Sequence, residues 1–313
     1  MGNRPLRLSK YDELGDRGAE VPESYRFLQQ EEGPIDSKFD LASLVPALEQ
    51  REPGIWFARR SRETISYPAH GNAACLAVED RSFWFRHRNR VIVEFVNRYH
   101  RRGIFLDVGG GNGYVARALI ASGVHCILVE PGIEGALAAR TRGVEPVICA
   151  RLEDVDLPSG CLASLGLFDV LEHIEDEASA LKLIHSILEP SGRLFLTVPA
   201  YQFLHSSEDD AAGHFRRYTL SRLRRVLAKS NFRMEFSTYF FTPLPPLIFL
   251  TRTVPTRLGM RHAENHEIAG SEHTPEGPAA WVMDRMLNYE LRHLRGGKRW
   301  PFGGSCFCVA IKQ

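Results

Sequence analysis

The segment 106–116, LDVGGGNGYVA, constrains this chain more than any other: an apolar strand-like run enters a glycine loop and leaves it as a helix. Glycines at 109, 111 and 113 let the backbone turn sharply and approach a ligand where a Cβ would clash. A dinucleotide fingerprint needs its third glycine at 114, and Tyr114 stands there instead. The spacing is GxGxG, with Asp107 two residues before Gly109. A carboxylate there can take the ammonium of a bound amino-acid moiety, whereas a pyrophosphate has no use for it. The next apolar run ends VEPG, which places Glu130 seventeen residues past Gly113. A carboxylate at that strand tip can accept two ribose hydroxyls at once.

Around this motif the periodicity alternates. GIFLDV (103–108), HCILVE (125–130), PVICA (146–150), LASLGLF (162–168) and RLFLTV, opened by Gly192, read as strands. Between them 114–122, 133–141 and 176–188 read as helices. A further helix precedes the first strand, with Val91, Ile92, Phe95, Val96 and Tyr99 on one face and arginines opposite. Leu220, Leu223 and Leu227 mark another helix, FRMEFSTYF (232–240) a sixth strand and SCFCVAIK (305–312) a seventh. Met283, Leu287, Leu291 and Leu294 mark a helix before that last strand. Strands and helices in this order predict a doubly wound α/β fold with a mostly parallel sheet. The expected organisation is a flexible tail (1–35), an N-terminal cap (36–85), an α/β core (86–240), an insertion that lids the substrate (241–303) and a last core strand (304–313).

Net charge is +1, from 39 basic and 38 acidic side chains, so no global field favours nucleic acid as a partner. Six cysteines without a CxxC pair read as reduced thiols of a cytoplasmic protein. The N-terminal residues hold no apolar run, hence no secretory signal, and Leu6 stands where myristoylation wants Ser or Thr. YFFTPLPPLIFL (239–250) is about half a bilayer span. With three prolines it reads as an apolar lip for peripheral membrane contact, not a crossing helix.

DVGGGNG, VEPG, LEDVDLP, FDVLEHIED and LEPSGRLFLTVPAY resemble the successive motifs of class I S-adenosylmethionine (SAM)-dependent methyltransferases. The resemblance covers about residues 84–235 and is nearest to a bacterial small-molecule or glycan group with SFWFRHRN-like and GHFRRYT-like segments. It implies a Rossmann-like seven-stranded sheet with an antiparallel last strand, and SAM as cofactor. Asp107 and the three glycines would meet the methionine end, Glu130 and Pro131 the ribose, and Phe168 and Asp169 the rest of the pocket. In many relatives an acid after the third strand meets adenine, where this chain reads Ala150-Arg151-Leu152 with Glu153 and Asp154 beyond.

The candidate chemistry lies at two later strand ends. The spacing Asp169-x-x-Glu172-His173 resembles an arrangement that ubiquinone O-methyltransferases associate with a divalent cation, better suited here to Mn²⁺ or Zn²⁺ than Mg²⁺. The reading preferred is without metal, Asp169 and His173 lining the SAM pocket and Glu172 capping or pairing locally. His173 and His214 are the general-base candidates. Tyr201, Arg217, Tyr218 and Trp84 are the substrate-side candidates. The alternative for 216–219 is that Arg216, Arg217 and Tyr218 tie the loop down while Thr219 caps the next helix. Trp84 has the alternative of docking the cap. His262, Glu264, His266, Glu267 and His273 read as a polar loop rather than a metal site. The function expected is transfer of a methyl group from SAM to a small molecule, hydrophobic, glycosylated or lipid-linked. The rivals are a non-catalytic SAM-binding regulator and, against Tyr114, a nicotinamide enzyme. The segment after the fourth strand carries no Asn/Asp-Pro-Pro-aromatic tetrad, which counts against base N-methylation.

Overall fold

The computed structural model describes residues 41–59, 71–259 and 277–313. Among the described residues nine strands make one sheet: β1 (Leu48–Glu52), β2 (Ile55–Ala58), β3 (Phe105–Val108), β4 (Cys126–Val129), β5 (Val147–Cys149), β6 (Leu162–Phe168), β7 (Leu188–Pro199), β8 (Phe232–Phe240) and β9 (Ser305–Lys312). Their order is β1-β2-β5-β4-β3-β6-β7-β9-β8. The run from β2 through β7 is parallel, and β9 lies antiparallel between β7 and β8.

Seven of these strands are the expected ones; the sheet has nine because Leu48–Glu52 and Ile55–Ala58 continue it past β5. The physical reason is the free edge of β5. Ile55, Trp56 and Phe57 pair in parallel with Val147, Ile148 and Cys149 and satisfy backbone groups that would otherwise face solvent.

The strands are apolar throughout because both faces are covered. Leu106, Val108, Ile127 and Val129 point into one core layer, while Phe105, Cys126 and Leu128 point into the other, as a period of two requires. The helices are α1 (Leu41–Leu44), α2 (Gly71–Val78), α3 (Phe83–Tyr99), α4 (Tyr114–Ala121), α5 (Ile133–Thr141), α6 (Glu177–Ile187), α7 (Ser207–Ala212), α8 (Leu220–Lys229), α9 (Leu244–Ile248), α10 (Val254–Arg257) and α11 (Gly277–Arg295).

α3 differs from the expectation in an instructive way. The aromatic segment at 83–85 does not precede the helix but forms its first turn, capped by the Ser82 hydroxyl, which accepts from the Trp84 and Phe85 N–H groups at 3.2 and 3.4 Å. Not all its arginines face away from the core: Arg88 is buried on the same stripe as Ile92 and Phe95. His87 is buried too, bonded at 2.7 Å to the buried Glu290 of α11. Glu290 also accepts the Phe241 and Thr242 N–H groups, so one carboxylate pins α11 and the chain after β8 to α3. All six cysteines are free thiols. No helix among the described residues is long and apolar enough to cross a membrane. The tail 1–35 and the candidates between His262 and His273 lie outside the described residues.

Candidate active site

The parallel strands end at one edge of the sheet, and the site grows from the loops there. The glycine loop after β3 leaves Gly109, Gly111 and Gly113 at φ of 68°, 54° and 72°. Gly113 opens α4 in the left-handed region, and a Cβ on it would meet the Ala139 Cβ at 2.8 Å. Gly110 is as demanding for a different reason: a Cβ there would lie 2.1 Å from Leu128 Cδ1 and 2.7 Å from Asp107 Oδ2. The loop therefore presents bare backbone directly over Asp107.

Asp107 is fully buried, and among the described residues only the Ala116 N–H acts on its carboxylate as a donor. Burial pushes its pKa up to about 7; the Arg88 charge opposes this and the Glu130 charge adds to it. A buried carboxyl this poor in donors matches an ammonium group. Glu130 accepts the Gly111 and Gly132 N–H groups at 2.9 and 2.8 Å, so it clamps the glycine loop to the turn after β4. Burial raises its pKa, and those two amides with the Asn72 amide pull the other way. Pro131 is half-buried in that turn. A buried Asp107, the Glu130 carboxylate and a loop with no room for Cβ atoms stand together at this edge of the sheet.

The Phe168 ring packs in the core beside Phe105, and its carbonyl oxygen is what reaches the site. Asp169, next in the chain, sits at φ 56°. Arg88 secures this corner: Nε donates to Asp169 Oδ2, Nη2 donates to the Phe168 carbonyl at 2.6 Å, and the guanidinium lies over the Trp84 ring. The Trp84 ring stacks on Phe241 at 5.7 Å between centroids. The Arg88 charge also opposes the rise in the pKa of both Asp107 and Glu172, so one buried cation acts on acids of β3 and of the turn after β6.

Beyond Asp169 a short 3₁₀ turn, Leu171–His173, carries Glu172 and His173 inward. Glu172 is fully buried with neither oxygen hydrogen-bonded among the described residues; it neither caps nor pairs locally. Burial, reinforced by the Asp169 charge, raises its pKa well above the ordinary value. His173 is pushed down to about 4, by burial first and then by His214, so it is neutral near pH 7. The two imidazoles meet edge to face, centroids 4.7 Å apart.

His214 is held by Asp209, Nδ1 to Oδ1 at 2.7 Å, and the Asp209 carboxylate is gripped by Arg217 through Nε at 2.8 Å and Nη2 at 2.9 Å. Burial would raise the Asp209 pKa, but the His214 and Arg217 contacts outweigh it and hold the carboxyl far below its usual range. Asp209 also closes a capping box with Ser206 at the start of α7. The Tyr218 hydroxyl is buried and donates to Glu177 Oε2 at 2.6 Å, while Thr219 caps α8 through the Arg222 N–H. Arg217 and Tyr218 thus sit inside the loop and hold it. Tyr201 faces the edge instead, half-exposed and stacked on Tyr239 at 5.1 Å.

Among the described residues Glu172, His173 and His214 each offer a ligand-capable atom, all within 4.8 Å of one another. One carboxylate and two imidazoles suit Mn²⁺ or Zn²⁺. Arg88, Asn72 and Asp209 are residues of this corner to which the sequence assigns no role, although Arg88 lies within the SFWFRHRN segment. Arg88 had a signal, a charge on an apolar stripe four residues before Ile92; Asp209 had one in the Ser206-x-x-Asp209 spacing. Asn72 had none, since α2 reaches Glu130 only through the fold.

Residues 84–235 match a family model for a methyltransferase domain. Over 98 residues the chain is 26% identical to the ubiquinone biosynthesis O-methyltransferase of Aeromonas salmonicida, covering 29% of this chain and 41% of that one. The chain thus spans about two fifths of that curated relative. A SAM-dependent methyltransferase from Thermotoga maritima superposes with a TM-score of 0.50 at 18% identity, covering 79% of this chain and 100% of that one. Phosphoethanolamine N-methyltransferase 2 of Haemonchus contortus, solved with S-adenosyl-L-methionine, gives 0.50 at 16% identity, covering 80% and 58%. At these identities the two structures attest the shared fold.

Proposed function

We propose, from the premise that this chain belongs to the class I SAM-dependent methyltransferases, that it moves the methyl group of SAM to a small acceptor with an ionisable hydroxyl or amine. When bound, SAM supplies an electrophilic methyl carbon. The chain's own residues do the rest. Asp107 takes the ammonium, Glu130 the ribose hydroxyls, and the glycine loop sets how closely the backbone approaches.

The observation that carries the reading is the Asp209–His214 pair, whose imidazole packs against His173. Asp209 accepts from Nδ1–H and so fixes the tautomer, which leaves Nε2 as the acceptor for an acceptor-molecule proton. Arg217 keeps Asp209 ionised, and neutral His173 walls the other side without competing for charge. Most of the rate would come from alignment, with the base supplying the deprotonated nucleophile. Tyr201, Tyr239 and Phe302 form an apolar wall at this edge, which favours an acceptor with a hydrophobic part.

A second reading gives Glu172, His173 and His214 a divalent cation, favoured by the buried Glu172 carboxyl, whose oxygens have no other residue bonded to them among the described residues. One experiment addresses both. The chain is incubated with methyl-labelled SAM and a fractionated metabolite extract, with Glu130→Ala and His214→Asn as controls. Label in one fraction, lost in both variants and insensitive to chelator, is expected. Loss of label with EDTA and its return with Mn²⁺ would favour the metal. SAM binding with no label in any fraction would instead favour a non-catalytic binder.

A further inference from the structure

α2 comes to the cofactor half of the site from outside its motifs. One side chain of the glycine loop ties it down near both ends: the buried Asn112 amide donates to the Asn72 carbonyl at 2.8 Å and to Glu79 Oε1 at 3.3 Å. Glu79, buried just past the last turn of α2, is also ion-paired at 2.8 Å with Arg142, the residue that follows α5. The Arg142 guanidinium in turn lies over the Tyr114 ring at the start of α4. α2 is therefore strapped across the glycine loop and against α5.

This strap brings Asn72 to Glu130, and the Asn72 amide donates to the Glu130 carboxylate. The turn after β4 is shaped to receive it. A Cβ on Gly135 would lie 2.6 Å from Asn72 Nδ2, and one on Gly132 would lie 3.0 Å from that atom and 2.8 Å from Glu130 Oε1. Gly135 is buried inside α5, where alanine would favour the helix. A local rule broken at a buried helical position points to a use for the space, and here the space holds an asparagine from another helix.

We propose that Asn72 is a ribose contact of the SAM site and works there as a donor beside the acceptor Glu130; this rests on the reading that Glu130 takes the ribose hydroxyls. An ionised carboxylate only accepts, whereas each ribose hydroxyl has a hydrogen to give and lone pairs to fill. Glu130 can therefore meet hydroxyl hydrogens but not hydroxyl oxygens. The Gly111 and Gly132 N–H groups are spent on the carboxylate itself, at 2.9 and 2.8 Å.

An amide side chain carries two N–H donors and an acceptor oxygen, enough to hold Glu130 with one hydrogen and serve a hydroxyl oxygen with the other. Asn72 is half-buried rather than sealed in. A ligand without the matching hydroxyl would leave that N–H unmet, which is how a polar site rejects such an analogue. Asn72 would thus be a positioning residue for the nucleoside end of SAM, supplied by a helix that the glycine motif does not contain.

The test is calorimetry of the full chain with S-adenosylhomocysteine and with its 2′-deoxy and 3′-deoxy counterparts, comparing wild type, Asn72→Ala and Glu130→Ala. Asn72→Ala should weaken S-adenosylhomocysteine about fivefold, the worth of one hydrogen bond. It should weaken one of the deoxy counterparts by less than about twofold, because the hydroxyl that Asn72 meets is already gone from it. Alanine keeps the backbone carbonyl that Asn112 holds, so α2 stays strapped in the variant. An equal loss for all three ligands would mean that Asn72 only braces Glu130, and would overturn the proposal. So would S-adenosylhomocysteine affinity that is unchanged or raised in Asn72→Ala. Glu130→Ala separates this failure from that of the reading beneath it. Lost affinity in Glu130→Ala with none lost in Asn72→Ala removes Asn72 alone, whereas no loss in either variant removes the ribose from both residues.

Discussion

The two halves of the site are built differently. The cofactor half is local and made mostly of backbone: a loop after β3 and a turn after β4, joined by Glu130 through the Gly111 and Gly132 N–H groups. The half proposed to face the acceptor is made of side-chain pairs, some within the 209–217 loop and some from distant parts of the chain. Arg88 of α3 reaches Asp169, Tyr218 reaches Glu177, and Asp209 is shared between Arg217 and His214. In the first half the carboxylates brace one loop and one turn, so a substitution there should act on the ligand and on those two segments. In the second, ligand handling and folding draw on the same carboxylates, so substitutions there should seldom leave stability untouched.

His214→Asn should separate the two halves most sharply. It keeps a polar group near Asp209 but removes the base, so kcat is expected to fall about 10²- to 10⁴-fold. SAM affinity, measured by calorimetry, should hold. A parallel loss of SAM affinity would mean that the halves are not separable. Asp209→Ala comes next and breaks the contrast deliberately. It strands the buried Arg217 guanidinium, and a buried pair deprived of one partner loses about 3–5 kcal/mol. Urea unfolding should show that loss together with the rate defect. A rate defect at full stability would demote the Arg217 contact to a surface-like pair.

Glu130→Ala is the counterpart on the cofactor side. It removes the ribose carboxylate and leaves two N–H groups without their acceptor, each worth about 1.5–3 kcal/mol as a charge-assisted bond. SAM affinity should fall about a hundredfold or more, with β3, β4 and the core around them intact by circular dichroism. Unchanged affinity would move the ribose away from Glu130.

The same contrast explains what was legible in the sequence. The cofactor half is contiguous, so its residues share a motif: Asp107, the glycines and Glu130 stand where local spacing puts them. The strands follow from apolar runs buried on both faces, and Phe232–Phe240 and Ser305–Lys312 fall at the expected positions. The two extra strands were not legible, because a short segment such as Ile55–Ala58 becomes a strand only when β5 offers an edge. The acceptor half was half-legible. His173 and His214 stand out by residue type, yet nothing local says that they meet edge to face or that Asp209 holds one of them. Arg217 and Tyr218 look like substrate contacts in a loop sequence, and only the packing shows Arg217 tied to Asp209 and Tyr218 to Glu177.

Asp107 offers the finest test, because here binding and stability should respond to pH in opposite senses. Its ordinary pKa is 3.8 and burial raises it to about 7, against the Arg88 charge and with that of Glu130; the neighbouring Cys126 thiol is pushed up and stays neutral. The folded chain therefore favours the neutral acid. That contribution to stability is complete below the unfolded value and is lost as pH rises toward 7. Holding an ammonium needs the carboxylate instead, so SAM affinity should fall about tenfold for each unit of pH below about 7 and level off above it. Asp107→Asn should flatten the binding profile at the weak end and at pH 8 unfold at higher urea than the wild type, because an amide has no charge to bury. Calorimetry across pH 5.5–8 checks the first expectation and urea titration the second. If binding by Asp107→Asn kept the wild-type pH profile, the titrating group would lie elsewhere, with Glu130 the next carboxylate to examine.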